Sequence, residues 1–226
     1  MPGAKRLWDT TDGGPLNGGA PRVVWQTLGA DPRATSAGSA AQSLDQLGRA
    51  PHLVWNPVQG EIVQLIPVLR AGRLLGTPED LGQMTPPRPE ADADRLAEAN
   101  AEGRLCVQIG VVAFAWDPFT SWPMTGLQRI LDWLGCWGIP RRWPGGPPAP
   151  FPHGLTTCGD RRTWARGGHF GASQVPGLTA AGPGAIDIDQ LTAGAEGRTG
   201  AAGVPGLDVY FGNGQAADSG ALSRVG

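Results

Sequence analysis

The sequence has few of the side chains that most often carry chemistry. Its 226 residues include three histidines, three cysteines and one tyrosine. The cysteines (Cys106, Cys136 and Cys158) form no Cys-x-x-Cys motif, and their odd number leaves at least one unpaired. We therefore expect the cysteines to be small buried hydrophobic residues.

Strong charge and long apolar runs are also absent from the sequence. The formal net charge of -2 provides no attraction for nucleic acid or for an acidic membrane surface, so neither is expected as a partner. No run of about 18 apolar residues would span a bilayer. Lys5 and Arg6 are not followed by the apolar core of a signal peptide. These patterns predict a soluble chain, either cytoplasmic or exported by a route that the sequence does not reveal.

The sequence is rich in glycine, proline and tryptophan. Its 36 glycines and 22 prolines are spread among apolar segments, which is typical of a globular domain with many loops. Nine tryptophans are many for this length. Because the indole N–H requires a hydrogen-bond partner, we expect several of them to line a groove or a partner surface.

The order of the hydrophobic patterns predicts the fold class. Short apolar runs predict strands at residues 22–28, 52–55, 61–66 and 104–116, and helical periodicity predicts helices at residues 36–47 and 126–137. Ser36 or Ser39 would cap the first helix, with Leu44 and Leu47 on one face. Gly138 would end the second helix, whose apolar side includes Trp137. We predict an α/β fold, a central mixed β-sheet flanked by helices, in which residues 22–28 and 104–115 are neighbours.

The remaining segments set the expected domain limits. Residues 1–19 are interpreted as a lead-in draped over the domain, residues 20–191 as the domain, and residues 192–226 as a flexible Gly/Ala-rich tail. Residues 76–93 and 143–163 are predicted to be loops.

The stretch Gly167–Asp189, GGHFGASQVPGLTAAGPGAIDID, is the most informative segment. It is predicted to form a glycine-bordered loop followed by one helical turn, with a tight turn at Gly182-Pro183-Gly184. Asp187 and Asp189 would cap the helical turn or face solvent. Such a segment can bring side chains to the mouth of a cleft in a sheet.

Four blocks of sequence resemble one enzyme family. They are APRVVWQTLGAD (residues 20–31), APHLVWNPVQGEIVQLIPVLRAG (50–72), RLCVQIGVVAFA (104–115) and the stretch at 167–189. In order and spacing they resemble the zinc-dependent N-acetylmuramoyl-L-alanine amidases of actinobacterial type, whose fold is shared with peptidoglycan recognition proteins. The resemblance covers roughly residues 20–191 and implies that fold for the domain.

The resemblance also implies which residues would carry the chemistry. In the family, two histidines and an aspartate hold zinc, and a glutamate moves protons while the zinc-bound water attacks the amide between muramic acid and L-alanine. In this sequence those positions, in chain order, are Gln26, Gly110, Ala172 and Gly182, which we call the four substituted positions. We expect neither catalytic residues nor the family's zinc. If the cleft has kept its shape, the two glycines leave room for the family's side chains to be restored.

The hypothesis that follows is a catalytically silent amidase-fold module that binds peptidoglycan or a muropeptide fragment. The candidate ligand-binding residues are Trp25, His52, Trp55, Arg70, Arg73 and His169. Aromatic faces suit sugar rings and guanidinium groups suit carboxylates. The two tryptophans lie in apolar strands and could equally be core, and the two histidines could make local hydrogen bonds. Two alternatives remain open: an active amidase with displaced zinc ligands, and a structural component of a phage-derived or secreted assembly.

Overall fold

The computed structural model describes residues 1–7, 10–75, 99–156 and 159–193. Its strands are Lys5–Arg6 (β1), Arg22–Thr27 (β2), Leu53–Trp55 (β3), Ile62–Gln64 (β4), Cys106–Val111 (β5) and Gly168–Gly171 (β6). Its α-helices include Ala37–Gln46 (α1), Leu127–Cys136 (α2), Arg161–Trp164 (α3) and Ile188–Thr192 (α4). All of these residues fall in one compact unit, Met1–Glu196.

The strands form one mixed sheet in the order β1-β4-β3-β5-β2-β6. Only β3 and β4 pair antiparallel within this described sheet, and the other neighbours are parallel. The predicted α/β class and mixed sheet are therefore confirmed. The predicted neighbours also pair, in a parallel register that runs from Arg22 opposite Cys106 to Thr27 opposite Val111.

Helices cover both faces of the sheet. Helix α2 packs on the face that contains Val23 and Trp25, whereas α1 packs on the opposite face against Val54 and Val63. Every residue of β5 is buried, as its nearly continuous apolar sequence predicts for a strand covered on both faces. The strand ends at Val111, five residues earlier than the apolar run predicts.

The two predicted helices are present, and their ends correct one detail each. Ser36 caps α1, and its side chain accepts a hydrogen bond from the Ser39 amide. Leu47 is the residue after the helix and is exposed, so the prediction that it shares the buried face is wrong. Trp137 likewise follows α2 and is 37% exposed, because Gly138 reverses the chain there with a φ of +71°.

Three short elements were not predicted. The lead-in is partly in the sheet, since β1 pairs with β4. The stretch at 167–189 begins with strand β6, which pairs with β2, and α3 lies in the predicted loop at 143–163. Strand β6 has the sequence GHFG, which lacks both β-branched residues and a run long enough to show alternation. Its strand conformation depends on the neighbouring backbone.

Several predictions concern residues that lie outside or at the limit of the described part. The loop at 76–93, Cys158 and the tail beyond residue 193 lie outside the described residues.

Cys106 is buried as predicted, but Cys136 is exposed at the end of α2, so that prediction is wrong. Within the described ranges, no helix has both the length and the apolar character needed to cross a bilayer.

Candidate functional site

The four substituted positions lie together where β2, β5 and β6 end. Gln26 is paired in register with Gly110, and the pairing of Trp25 with Gly171 places Ala172 directly beside the end of β2. The Ser173 amide donates a hydrogen bond of 2.9 Å to the carbonyl of Gly182. Positions that are far apart in the sequence thus meet at one edge of the sheet.

This edge is where an α/β sheet most often binds ligands. The chain leaves β2 towards α1 on one face of the sheet and leaves β5 towards α2 on the other. Adjacent parallel strands whose connections diverge in this way leave a crevice outside their carboxyl ends. We call this region, defined by the four substituted positions, the carboxyl-edge site.

Neighbouring side chains occupy the space at both glycines of the carboxyl-edge site. A Cβ atom on Gly110 would lie 3.1 and 3.2 Å from the two methyl groups of Leu28. A Cβ atom on Gly182 would overlap the hydroxyl oxygen of Thr27. The expected room for restored side chains is therefore not there, because Leu28 and Thr27 have closed over the two glycines.

The residues of the carboxyl-edge site do not fit the family's zinc. Zinc requires imidazole, thiolate or carboxylate ligands, whereas this site offers one amide, one methyl group and two glycines. The amide oxygen of Gln26 is buried and accepts no hydrogen bond from the described residues. In the described ranges, no three or more His, Cys, Asp or Glu residues are grouped so that they could hold a metal ion.

Trp25 and Trp55 lie in the core and do not line a groove. Both side chains are fully buried. Their rings meet edge to face at 6.3 Å, and Phe119 packs against both, at 6.3 Å from Trp25 and 5.7 Å from Trp55. The Trp55 indole N–H donates to the carbonyl of Thr125 at 2.8 Å. In this arrangement neither ring can be reached by a ligand, which corrects the groove-lining interpretation.

His52 is a buried structural residue. Its Nδ1 accepts a hydrogen bond of 3.0 Å from the Gln108 amide, so its Nε2 carries the proton and donates to the carbonyl of Arg70 at 2.8 Å. Burial lowers the pKa of His52 to about 4, against the opposing effect of that carbonyl. The neutral ring, just before β3, joins β5 to the segment after β4 and is inaccessible to a ligand.

His169 is also buried and neutral. Its Nδ1 accepts a hydrogen bond of 3.3 Å from the Trp25 indole, and its ring lies 6.0 Å from that of Trp143. Burial has the largest effect and the positive charge of Arg141 the next, and together they lower the pKa of His169 to about 3. The side chain points into the core from β6, so it does not form part of an open site either.

Arg70 and Arg73 are exposed but lie at the other end of the sheet. Arg70 makes a two-pronged ion pair with Asp12, with hydrogen bonds of 2.8 and 2.9 Å. The Arg73 amide donates to the carbonyl of Ala50, just before β3 begins. Since β3 runs parallel to β5 and β2, this is the edge where those strands start. The structure therefore does not bring the arginines to the carboxyl-edge site.

An exposed aromatic cluster adjoins the carboxyl-edge site and was missed by the sequence analysis. It consists of Phe114, Trp116 and Phe151, which we call the aromatic platform. Trp116 stacks on Phe114 at 4.4 Å with an angle of 17°, and Phe151 stands against Trp116 at 5.7 Å and 66°. Trp116 is 61% exposed and Phe151 42%. The only sequence signal was Trp116, which we assigned to the end of a strand.

A depression of about 320 Å³ lies beside β6, and none of the predicted site residues lines it. It is lined by Gly145, Pro147, Ala149, Gly159, Asp160, Thr163, Phe170, Ser173 and Gln174. Two of its polar side chains have structural partners: Asp160 accepts hydrogen bonds from the amide and hydroxyl of Thr163, and Gln174 accepts one from the Trp143 indole. These groups close the loops around β6.

Comparisons of the chain with protein-family models, with curated proteins and with solved structures found no match in any of the three.

Proposed function

We propose that the chain is a catalytically silent module of the N-acetylmuramoyl-L-alanine amidase and peptidoglycan recognition protein type, and that it binds peptidoglycan or a related glycopeptide without cleaving it. The observation that carries this proposal is the meeting of the four substituted positions at one edge of the sheet. The resemblance in sequence assigns those positions to one active site, and a shared site requires them to be close in space.

The chemistry of the carboxyl-edge site supports the loss of hydrolysis. Amide hydrolysis at neutral pH needs an activated water and a group that moves protons. Gln26 is the only one of the four with a polar side chain, and an amide is neither acid nor base. Leu28 and Thr27 occupy the space beside the two glycines, which supports a site that no longer holds larger side chains there.

The position of the site supports a retained binding role. Diverging connections favour a ligand-binding crevice outside the ends of β2 and β5, and this tendency belongs to the fold and does not depend on catalytic residues. The aromatic platform adjoins this crevice and leaves two large rings exposed to solvent. Large exposed aromatic side chains beside a crevice are typical of a binding surface.

Co-sedimentation with purified peptidoglycan sacculi tests both halves of the proposal. We expect the chain to pellet with sacculi, and to release no peptide that begins with L-alanine. There are two controls: the chain is centrifuged without sacculi, and with insoluble cellulose in place of sacculi. A chain that stays in the supernatant with sacculi would refute the binding role.

The same assay, repeated with added zinc and with a chelator, tests whether the chain lacks hydrolytic activity. We expect no cleavage in either condition, and elemental analysis should find far less than one zinc per chain. Zinc-dependent cleavage that a chelator abolishes would refute the silent interpretation and favour an active amidase with displaced ligands.

A further inference from the structure

We propose that the aromatic platform is the surface on which a sugar ring of the glycan lies. This inference rests on the proposed function, because it names the ligand chemistry and the contact residues of the same binding site. Phe114 covers one face of the Trp116 indole, so the exposed area of Trp116 belongs mainly to its other face and edge. Phe151 packs against Trp116 at an angle of 66° and adds a second exposed ring to the platform.

The backbone holds the platform in place before any ligand binds. Phe114 and Asp117 form an antiparallel bridge across the turn that carries Trp116. The Gly29 amide donates to the carbonyl of Ala113 at 2.9 Å. Gly184 packs so closely on the carbonyl of Ala115 that a Cβ atom would overlap it. A surface that is already ordered loses little conformational entropy when a ligand binds.

The size of the platform favours a small ring over a protein partner. From the exposed fractions of Trp116 and Phe151, the open aromatic area is roughly 250 Å², taking about 200–250 Å² for a whole aromatic side chain. A stable protein interface covers about 800 Å² on each partner. One face of a pyranose ring matches the smaller area.

The two chain segments that carry the platform contain few charged residues, which favours a neutral ligand. Residues 105–128, which include Phe114 and Trp116, contain no lysine or arginine, and their only charged residue is Asp117. Residues 143–160, around Phe151, also contain no lysine or arginine. A nucleic acid or another phosphate ligand would need such cations. A neutral ring with an apolar face, as in an N-acetylated sugar, does not.

The platform is physically connected to the carboxyl-edge site. The contact between Gly184 and Ala115 joins it to the segment that carries Gly182. In addition, the Asp187 amide donates to the hydroxyl of Thr120 at 3.0 Å. A glycan on the platform would therefore lie next to the carboxyl-edge site.

The test uses the full chain, sacculi, and the soluble tetramer of N-acetylglucosamine as a defined glycan. The variants are Trp116→Ala, Phe151→Ala and the conservative Trp116→Phe. Trp137→Ala is the matched control, because Trp137 is also a partly exposed tryptophan. It lies near the opposite edge of the sheet, where Gly138 approaches Arg104 before β5 begins. Near-UV circular dichroism checks that each variant is folded.

We expect Trp116→Ala to weaken binding of both glycans about tenfold or more, with a smaller loss for Trp116→Phe and none for Trp137→Ala. In the unmodified chain, the tetramer should reduce quenching of tryptophan fluorescence by acrylamide, and Trp116→Ala should abolish that reduction. This second measurement detects the contact directly.

The outcomes separate this inference from the proposed function. Binding to both glycans that the platform variants leave unchanged overturns the platform and leaves the proposed function standing. Binding of the tetramer through Trp116 without binding of sacculi supports the platform and refutes the proposed function. No binding of either glycan refutes both.

Discussion

Leu28 has taken the space that a side chain at Gly110 would need, and a double-mutant cycle can measure this. No positive φ is imposed at Gly110, so an alanine there is strained only by its neighbours. Its Cβ would lie 3.1–3.4 Å from three carbon atoms of Leu28, which is a few tenths of an ångström too close. Overpacking of this kind costs about 1–3 kcal/mol. Replacing a strand glycine by alanine otherwise gains about 0.5–1 kcal/mol.

We therefore expect Gly110→Ala to lower the free energy of unfolding by about 1 kcal/mol. In the Leu28→Ala background the same change should instead raise it by about 0.5–1 kcal/mol, because the methyl groups that it meets are gone. The coupling between the two changes is then about 1–3 kcal/mol, which is the overpacking cost.

Urea unfolding followed by tryptophan fluorescence measures all four proteins of the cycle. Gly135→Ala in α2 is the matched control, because a Cβ atom there meets nothing within 4 Å. It should raise the free energy of unfolding by up to about 1 kcal/mol in both backgrounds. If Gly110→Ala and Leu28→Ala add to within about 0.5 kcal/mol, Leu28 does not fill the site and the argument from repacking fails.

Three further predictions follow from the same structure. The quadruple variant Gln26→His, Gly110→Glu, Ala172→His and Gly182→Asp, which carries the residues of the amidase family, should be less stable than the unmodified chain and have no amidase activity, and adding Leu28→Ala and Thr27→Ala should recover part of the stability. A quadruple variant as stable as the unmodified chain in thermal unfolding would contradict this. The free energy of unfolding should fall as the pH drops from about 6.5 to about 4, by about 1.4 kcal/mol per pH unit for each of His52 and His169, because these histidines are protonated in the unfolded chain but stay neutral when buried. A urea midpoint that is constant over this range would refute the burial of both rings. Trp25→Ala should lower the free energy of unfolding in urea by about 3–5 kcal/mol because its ring is fully buried, whereas Trp116→Ala should lower it by less than about 1 kcal/mol. Equal losses would show that the two environments are wrongly assigned.

Local patterns in the sequence were sufficient for the longer elements. The apolar run before Val111 requires a strand that is covered on both faces, and β5 is buried throughout. Ser36 and Gly138 mark helix ends because a side-chain cap and a left-handed turn are local events. The proposed assignment of the four substituted positions also came from sequence alone, since it uses only the match of each block, and it stays a prediction.

Tertiary structure decided which side chains a ligand can reach. Trp25 and Trp116 both end apolar runs, but Phe119 and the ring of Trp55 cover the first, while the turn after β5 leaves the second exposed. Strand β6 forms because the backbone of β2 supplies its hydrogen bonds, and the sequence of its own four residues does not predict a strand. The contact of Leu28 with Gly110 likewise joins β5 to the residue that follows β2. Burial and close packing depend on what other elements bring to a position, so a sequence pattern of one element cannot contain them.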